Sequence, residues 1–437
     1  MADKTSVKLR NQVIYQIFTR NYKEGTFRAI EGDLERIKAL GTDYIYLLPV
    51  QPSGEVNRKG SMGSPYAIKD YRAIDPVQGT KEEFIHLCEA VHEAGMKIMI
   101  DVVYNHTSPD SWLAENYPEW FYHKEDGSLG NRVGEWWDVV DLDYANEDLW
   151  DYQIDTLCKW ARYVDGFRCD VAPMIPLAFW LRARAEVEKV NKECVWLAES
   201  VEPGFIAYNR EHGIPTSSDG ELFQAFDICY DYDVYHLMKG VMLGTVPAKD
   251  YVARVNLQEA IFPDNYSKLR CLENHDRPRA AALIQEESVL RSWLAWSYFQ
   301  KGTVMLYAGE EFCVTKHPTL FDRDTVNFDT GKDLSAYLAK LKGIKNHRIF
   351  REGIFHAEVT GVNGDVIIAT MTGKADTPSA GNRAVGIFPL SHLTHAVELK
   401  LPNGIYTNAI DGTTFELFEE TLVLTDGPVI LLDVKGE

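Results

Sequence analysis

Cations are the scarce side of this sequence. Its 437 residues hold 45 lysines and arginines against 65 aspartates and glutamates, a formal net charge of -20. A surface field of that sign repels phosphate backbones and anionic lipid headgroups, so neither nucleic acid nor membrane is an expected partner. Long hydrophobic runs are missing too. Residues 1–12 are mixed polar and basic, without the apolar stretch of a signal peptide, and no later run approaches a membrane span. A cytoplasmic location is the expectation. Cysteine is sparse: there are seven, an odd set without metal-type clustering. Cys169, Cys194, Cys229 and Cys271 each sit in apolar, strand-like stretches and are expected as buried free thiols. No His-Glu-x-x-His pair, phosphate-cradling glycine loop or nucleophile-elbow serine occurs, which removes the signatures of several other enzyme classes. No fixed-period repeat or low-complexity segment is found.

What is present is a large apolar fraction, 45% of the residues, enough for a sizeable core and for two or three domains. Aromatics are plentiful, with 22 Tyr, 19 Phe and 10 Trp. Most such rings pack cores, but their flat faces also suit the apolar faces of sugar rings.

Eight short runs rich in β-branched and aromatic residues recur along the chain, at 13–19, 44–49, 97–104, 164–170, 194–199, 226–230, 269–272 and 303–308. Amphipathic, charged stretches separate them. In 81–94, for example, Phe84, Leu87, Cys88 and Val91 fall at helical spacing. Eight βα units of this kind predict a closed (β/α)8 barrel of the TIM type, an α/β fold. One connection, 107–143, is long and full of Pro, Gly, Trp and acidic residues, which suggests a short inserted subdomain after the third strand. After about residue 351 the helical period stops, and 365–371, 384–389, 395–399 and 420–424 read as strands between Gly or Pro turns. The expected division is a catalytic barrel at 1–106 and 144–350, the insertion at 107–143, and a C-terminal antiparallel β-sandwich domain at 351–437.

Reactive groups in such a barrel stand at the C-terminal ends of the strands. The third run ends in Asp101-Val102-Val103-Tyr104-Asn105-His106, the fourth in Gly166-Phe167-Arg168-Cys169-Asp170, the fifth in Ala198-Glu199-Ser200 and the seventh in Glu273-Asn274-His275-Asp276. Three carboxylates, Asp170, Glu199 and Asp276, would therefore converge on one cavity with two histidines and an arginine. Arg168 lies two residues before Asp170, so both side chains face the same way, and its charge is expected to keep Asp170 ionised.

These four stretches, in this order, resemble the conserved regions of the α-amylase family, the retaining amylases, α-glucosidases and glucan transferases. The resemblance extends to Pro65-Tyr66, to the stretch from Asp70 to Pro76, to Asp141-Leu142-Asp143, and to Tyr307-Ala308-Gly309-Glu310-Glu311. It implies that Asp170 is the nucleophile, Glu199 the acid and later base, and Asp276 a clamp on sugar hydroxyls. Retention needs the first two carboxyls roughly 5 to 5.5 Å apart, and Glu199 would need a raised pKa. By the same resemblance His106 and His275 bind ring hydroxyls, Tyr66 stacks beneath the ring, and Asp101 supports Arg168. The implied substrate is a maltooligosaccharide or α-glucan cleaved at α-1,4 bonds. A 4-α-glucanotransferase or α-glucosidase on the same site is an alternative. A noncatalytic carbohydrate-binding protein is a further one, though it would be expected to lose carboxylates that are all kept here.

The chemistry requires no cofactor. Asn105 and Asp141 match the family's calcium positions, and both offer the hard oxygen ligands that suit Ca²⁺. The Lys-His pair that follows the nucleophile in many α-amylases is absent, replaced here by Val171-Ala172-Pro173-Met174, so leaving-group specificity does not carry over. Trp136-Trp137 reads either as a sugar platform or as closure of a small core, and Glu310-Glu311 as a feature of the barrel rim. Nothing in the residues specifies an oligomeric state.

Overall fold

The computed structural model describes residues 4–133, 136–392, 395–424 and 427–435. Eight parallel strands close on themselves: β1 Val13–Ile17, β2 Tyr44–Leu47, β3 Lys97–Val102, β4 Gly166–Cys169, β5 Val195–Ala198, β6 Ile228–Tyr230, β7 Lys268–Arg270 and β8 Thr303–Tyr307. Each pairs with the next, and β8 returns to β1 with Val304 opposite Val13. Every residue of β1, β2, β5 and β8 is buried. That follows from helices covering the outside while side chains fill the inside, which is why the strands read as continuous apolar runs. All eight expected strands form, one to three residues shorter than the apolar runs, because buried apolar residues continue into the loops at both ends of the barrel.

The crossover helices follow from local sequence. Lys81–Glu93 starts with a capping box between Thr80 and Glu83 and buries Phe84, Leu87, Cys88 and Val91, satisfying its first free N–H groups as it enters the core. Glu147–Trp160 begins at Asn146, whose side chain accepts from Asp148 N. The seven cysteines are all free, and all but Cys158 are buried.

The insertion after β3 has little regular structure. It is pinned at its base by an antiparallel pair, His106–Thr107 against Val140–Asp141, and carries one short helix, Trp112–Asn116. The C-terminal region forms a four-stranded antiparallel sheet, β9 Ile354–Thr360, β10 Val366–Thr372, β11 Asn382–Pro389 and a last strand at Val429–Lys435. Two antiparallel pairs accompany it, His395–Glu398 with Thr421–Leu424 and, between them in the chain, the hairpin Gly404–Thr407 with Thr414–Leu417. The two-residue period of β10 divides its faces. Val366 and Ile368 join Val385, Ile387, Val397 and Leu417 in a core of their own, while Ile367, Ala369 and Met371 join the barrel core. Phe388 from β11 meets Trp296 and Phe299 of helix Glu287–Phe299 edge-on at 5.5 Å each, which fastens the sheet to the barrel. Among the described residues no helix is long and apolar enough to cross a membrane.

Candidate active site

At the mouth of the barrel a cavity of about 430 Å³ is lined by Asp170, Glu199, Asp276, Tyr66 and His106. A larger one, about 610 Å³, lies alongside and is lined by Asn105, Arg132, Asp143, Met174 and Arg210. It holds none of the three carboxylates, so the chemistry belongs to the smaller.

Arg168 organises the floor. Its buried guanidinium sits 2.9 Å from Asp101 Oδ1, 2.8 Å from Asp170 Oδ1 and 3.1 Å from Glu199 Oε1. One rigid cation thus fixes two carboxylates from adjacent strands as neighbours, with Asp101 behind it as counter-charge. Asp101 also accepts from Tyr46 Oη at 2.6 Å and Tyr66 Oη at 3.0 Å. Val171, next after Asp170, adopts a left-handed backbone at φ 34°. A β-branched residue is strained there, and the turn aims its N–H at Glu199 Oε2, 2.8 Å away.

Burial and then the neighbouring Glu199 charge push the Asp170 carboxyl well above the usual carboxylate range, against the opposing charge of Arg168. The net shift is upward, opposite to the lowering expected from Arg168, because desolvation and the Glu199 charge outweigh one shared guanidinium. In such a carboxyl dyad the titration belongs to the pair. Asp276 is the opposite case: it is open to the cavity, with its side chain 41% exposed, and although partial desolvation works against its charge, His275, Arg168 and Arg277 overcome it and hold the carboxylate well below its ordinary value. His275 Nε2 lies 3.0 Å from Asp276 Oδ2 and 2.6 Å from Tyr66 Oη, and its Nδ1 is 2.9 Å from Gln16 Nε2. The Tyr66 and His275 rings stack at 5.5 Å. Burial pushes the His106 imidazole down to about 4, so it stays neutral at physiological pH and can both donate and accept toward hydroxyls.

Several cavity residues have no signal in the sequence beyond their type: Lys59, Asp138, Tyr232, Arg277, Leu320 and Phe321. Arg277 lies 4.2 Å and 4.4 Å from the Tyr232 and Tyr235 ring centres and donates to Glu202 Oε1 at 3.1 Å. Trp136 lines the cavity beside His106, with ring centres 5.5 Å apart, and Trp137 is exposed, so the tryptophan pair closes no core. Glu310 and Glu311 are not rim residues open to solvent. Both are buried, and Glu311 Oε1 accepts from Tyr15 at 2.6 Å and Arg36 at 2.7 Å.

The two calcium candidates fit a metal poorly. Asn105 Nδ2 lies 3.1 Å from His106 Nδ1. Asp141 Oδ2 accepts from the Arg132 backbone at 2.7 Å, with the Arg132 guanidinium 3.7 Å from Asp141 and 3.8 Å from Asp143. A fixed cation already stands between the acidic groups a calcium would need. Asp141 Oδ1 is buried and has no hydrogen-bond partner, and burial lifts the carboxyl to about 6. Among the described residues no group of three or more His, Cys, Asp or Glu side chains is placed to hold a metal.

The model for the family described as "Alpha amylase, catalytic domain" matches residues 11–354, and that for "Bacterial Alpha amylase C-terminal domain" matches 358–431. The crystal structure of an alpha-amylase from Lactobacillus plantarum is 45% identical with a TM-score of 0.94, covering 98% of this chain and 100% of that one. That of a noncanonic maltogenic alpha-amylase AmyB from Thermotoga neapolitana is 30% identical at 0.86, with the same coverage. Alpha-amylase MalA of Haloarcula japonica is 28% identical over 317 residues, 69% of this chain and 44% of MalA. The chain spans less than half the length of the curated relatives it matches.

Proposed function

The chain belongs to the alpha-amylase family, and from that premise we propose that it is a retaining glycoside hydrolase. It cleaves α-1,4-glucosidic bonds of maltooligosaccharides or related α-glucans through a covalent glucosyl-enzyme. The observation that carries this reading is the single guanidinium of Arg168 within 2.8 Å of Asp170 and 3.1 Å of Glu199, which supports the close pair of carboxyls that a retaining mechanism needs.

In the first step Asp170 Oδ forms a bond to the anomeric carbon as the glycosidic bond breaks, and the pair's retained proton passes from Glu199 to the departing oxygen. In the second, Glu199 takes a proton from water, whose oxygen displaces Asp170 from the same carbon. Arg168 favours the ionised form of Asp170 that attacks, while the dry site keeps a proton available for the leaving group. Asp276, held ionised, and neutral His106 bind hydroxyls of the ring over Asp170 and stabilise the positive charge that develops there. No step requires a cofactor, and a calcium at Asn105 and Asp141 has no part in them. On this reading the working unit is the barrel at 1–106 and 144–350, with 107–143 as one wall of the site and 351–437 as its support.

The test is incubation with maltoheptaose and chromatography of the products. New reducing ends and shorter chains are expected. Chains longer than the substrate would assign a glucan transferase instead, and an unchanged substrate would refute both.

A further inference from the structure

The mouth of the barrel is walled unevenly. Three segments meet over its β8, β1, β2 and β3 side: the loop after β2, the insertion after β3 and the loop after β8. Lys59, from the first, is where they join. Its Nζ lies 2.6 Å from Asp138 Oδ1 in the insertion, 5.1 Å from the Trp137 ring centre and 5.8 Å from that of Phe321 in the third segment. Backbone ties reinforce the junction. Asn57 Nδ2 donates to Trp137 O at 3.4 Å, Ser61 N donates to Asp322 Oδ1 at 2.8 Å, and Met62 N donates to Phe321 O at 2.9 Å. Gly60 allows the close approach: its φ is +62°, and a Cβ there would stand 2.6 Å from Phe321 O. The Lys59 and Asp138 side chains are only 21% and 6% exposed, so this pair is partly desolvated, unlike a surface ion pair.

Both residues line the cavity that holds Asp170, and both charges act on His106. The pair therefore borders the ring-binding set. Its direction follows from the glycosidase reading above, on which this inference rests. The ring attacked at its anomeric carbon lies over Asp170, and the leaving ring lies beside Glu199. Glu199 ends β5, and its flank is built by Glu202, Tyr232 and Arg277 from the loops after β5, β6 and β7. The Lys59 junction stands across the mouth from that flank, where the non-reducing part of the substrate must run.

We propose that the Lys59 and Asp138 pair closes the glycone side of the cleft and receives the free hydroxyls of a non-reducing terminal glucose, so that chain ends rather than chain interiors are the substrate. An ammonium beside a carboxylate presents donors and acceptors side by side, which matches neighbouring sugar hydroxyls. Only the terminal residue carries a free hydroxyl where an internal one continues the chain. Products are then short and uniform in length.

The experiment compares p-nitrophenyl α-maltoheptaoside with the same compound bearing a 4,6-ethylidene block on its non-reducing glucose. The expected result is cleavage of the free substrate with a kcat/KM about a hundredfold above that of the blocked one, less than a fully buried hydroxyl site would give because Lys59 and Asp138 also pair with each other. Lys59→Ala and Asp138→Ala should bring the two rates together and lengthen the products. Equal rates with the unmodified enzyme would overturn the closed end while leaving the glycosidase reading standing. Cleavage of neither substrate would overturn both. An unchanged ratio in folded variants would remove the role given to the pair. The comparison on the unmodified enzyme needs no variant, and Lys59→Met serves if the alanine variant does not fold.

Discussion

The Arg168 guanidinium lies 2.8 Å from Asp170 Oδ1, a contact made at the end of one strand by residues two apart. Their common direction follows from the strand period, and their separate roles can be told apart by what each loss leaves intact. Asp170→Asn should cut turnover by about ten-thousandfold or more, the scale seen when a nucleophile is removed, with binding of maltooligosaccharide and thermal unfolding nearly unchanged. Glu199→Gln should be comparably slow on maltoheptaose. With α-maltosyl fluoride, whose leaving group needs no proton, it should still form an adduct on Asp170 that mass spectrometry of the quenched protein detects. An adduct on any other residue would refute the assignment of Asp170.

Glu199 is also the charge that does most to raise the Asp170 carboxyl. Glu199→Gln should therefore move the Asp170 titration downward, read by carbon NMR of labelled carboxyls. The leaving group needs a proton from Glu199, so kcat/KM should fall on the alkaline side as the Asp170 and Glu199 pair loses its last proton. A profile whose alkaline limb stays in place when Glu199 is replaced would refute the coupling.

The barrel and the meeting of three carboxylates at one cavity were legible because their signals are local. Each strand is a run of a few apolar residues, and Asp101, Asp170, Glu199 and Asp276 stand at or just after the ends of such runs. Residues whose role depends on distant loops gave no such signal. Lys59 meets Asp138 across 78 intervening positions and Phe321 across far more, and nothing near Lys59 distinguishes it from a solvated loop lysine. Glu311 reads as a rim acid because its partner, Arg36, lies 275 residues away. The strain at Val171 is invisible too, since no sequence rule puts a β-branched residue in a left-handed turn. Strand Ile354–Thr360 alternates exposed and buried, but Ile354 on its outer face blurs the pattern.

Calcium should have little effect. With Arg132 already between Asp141 and Asp143, thermal unfolding at pH 7 should be the same with a chelator and with added calcium. Asp141 gives a second readout. Its carboxyl rises from 3.8 to about 6 on folding, so its contribution to stability is fully present below the unfolded value and is lost as pH rises through about 6. Asp141→Asn should flatten that part of the stability profile. A bound calcium would reverse the sign, because it favours the ionised carboxylate, and a chelator-dependent drop in unfolding temperature would refute the assignment.

Trp136 borders the cavity beside His106, where a ring face can meet a sugar. Trp136→Ala should raise KM about tenfold, near 1.4 kcal/mol of binding, with a smaller change in kcat. A change confined to thermal stability would return Trp136 to a purely structural role.

Asp101 tests how far catalysis depends on a buried residue that acts through Arg168. It is buried, accepts from Tyr46 and Tyr66, and balances Arg168 at 2.9 Å. Asp101→Ala would leave a buried guanidinium short of one counter-charge, which costs about 3 to 5 kcal/mol, measurable as a lower urea midpoint. Asp101→Asn keeps the size and acceptance from the tyrosines but not the charge. It should lower kcat far more than it raises KM, because Arg168, relieved of Asp101, would draw closer to Asp170 and Glu199 and shift the alkaline limb of the pH profile. A loss of stability with an unmoved limb would mean that Asp101 only holds the strands together. A moved limb at full stability would mean that it sets the charge on which the pair depends.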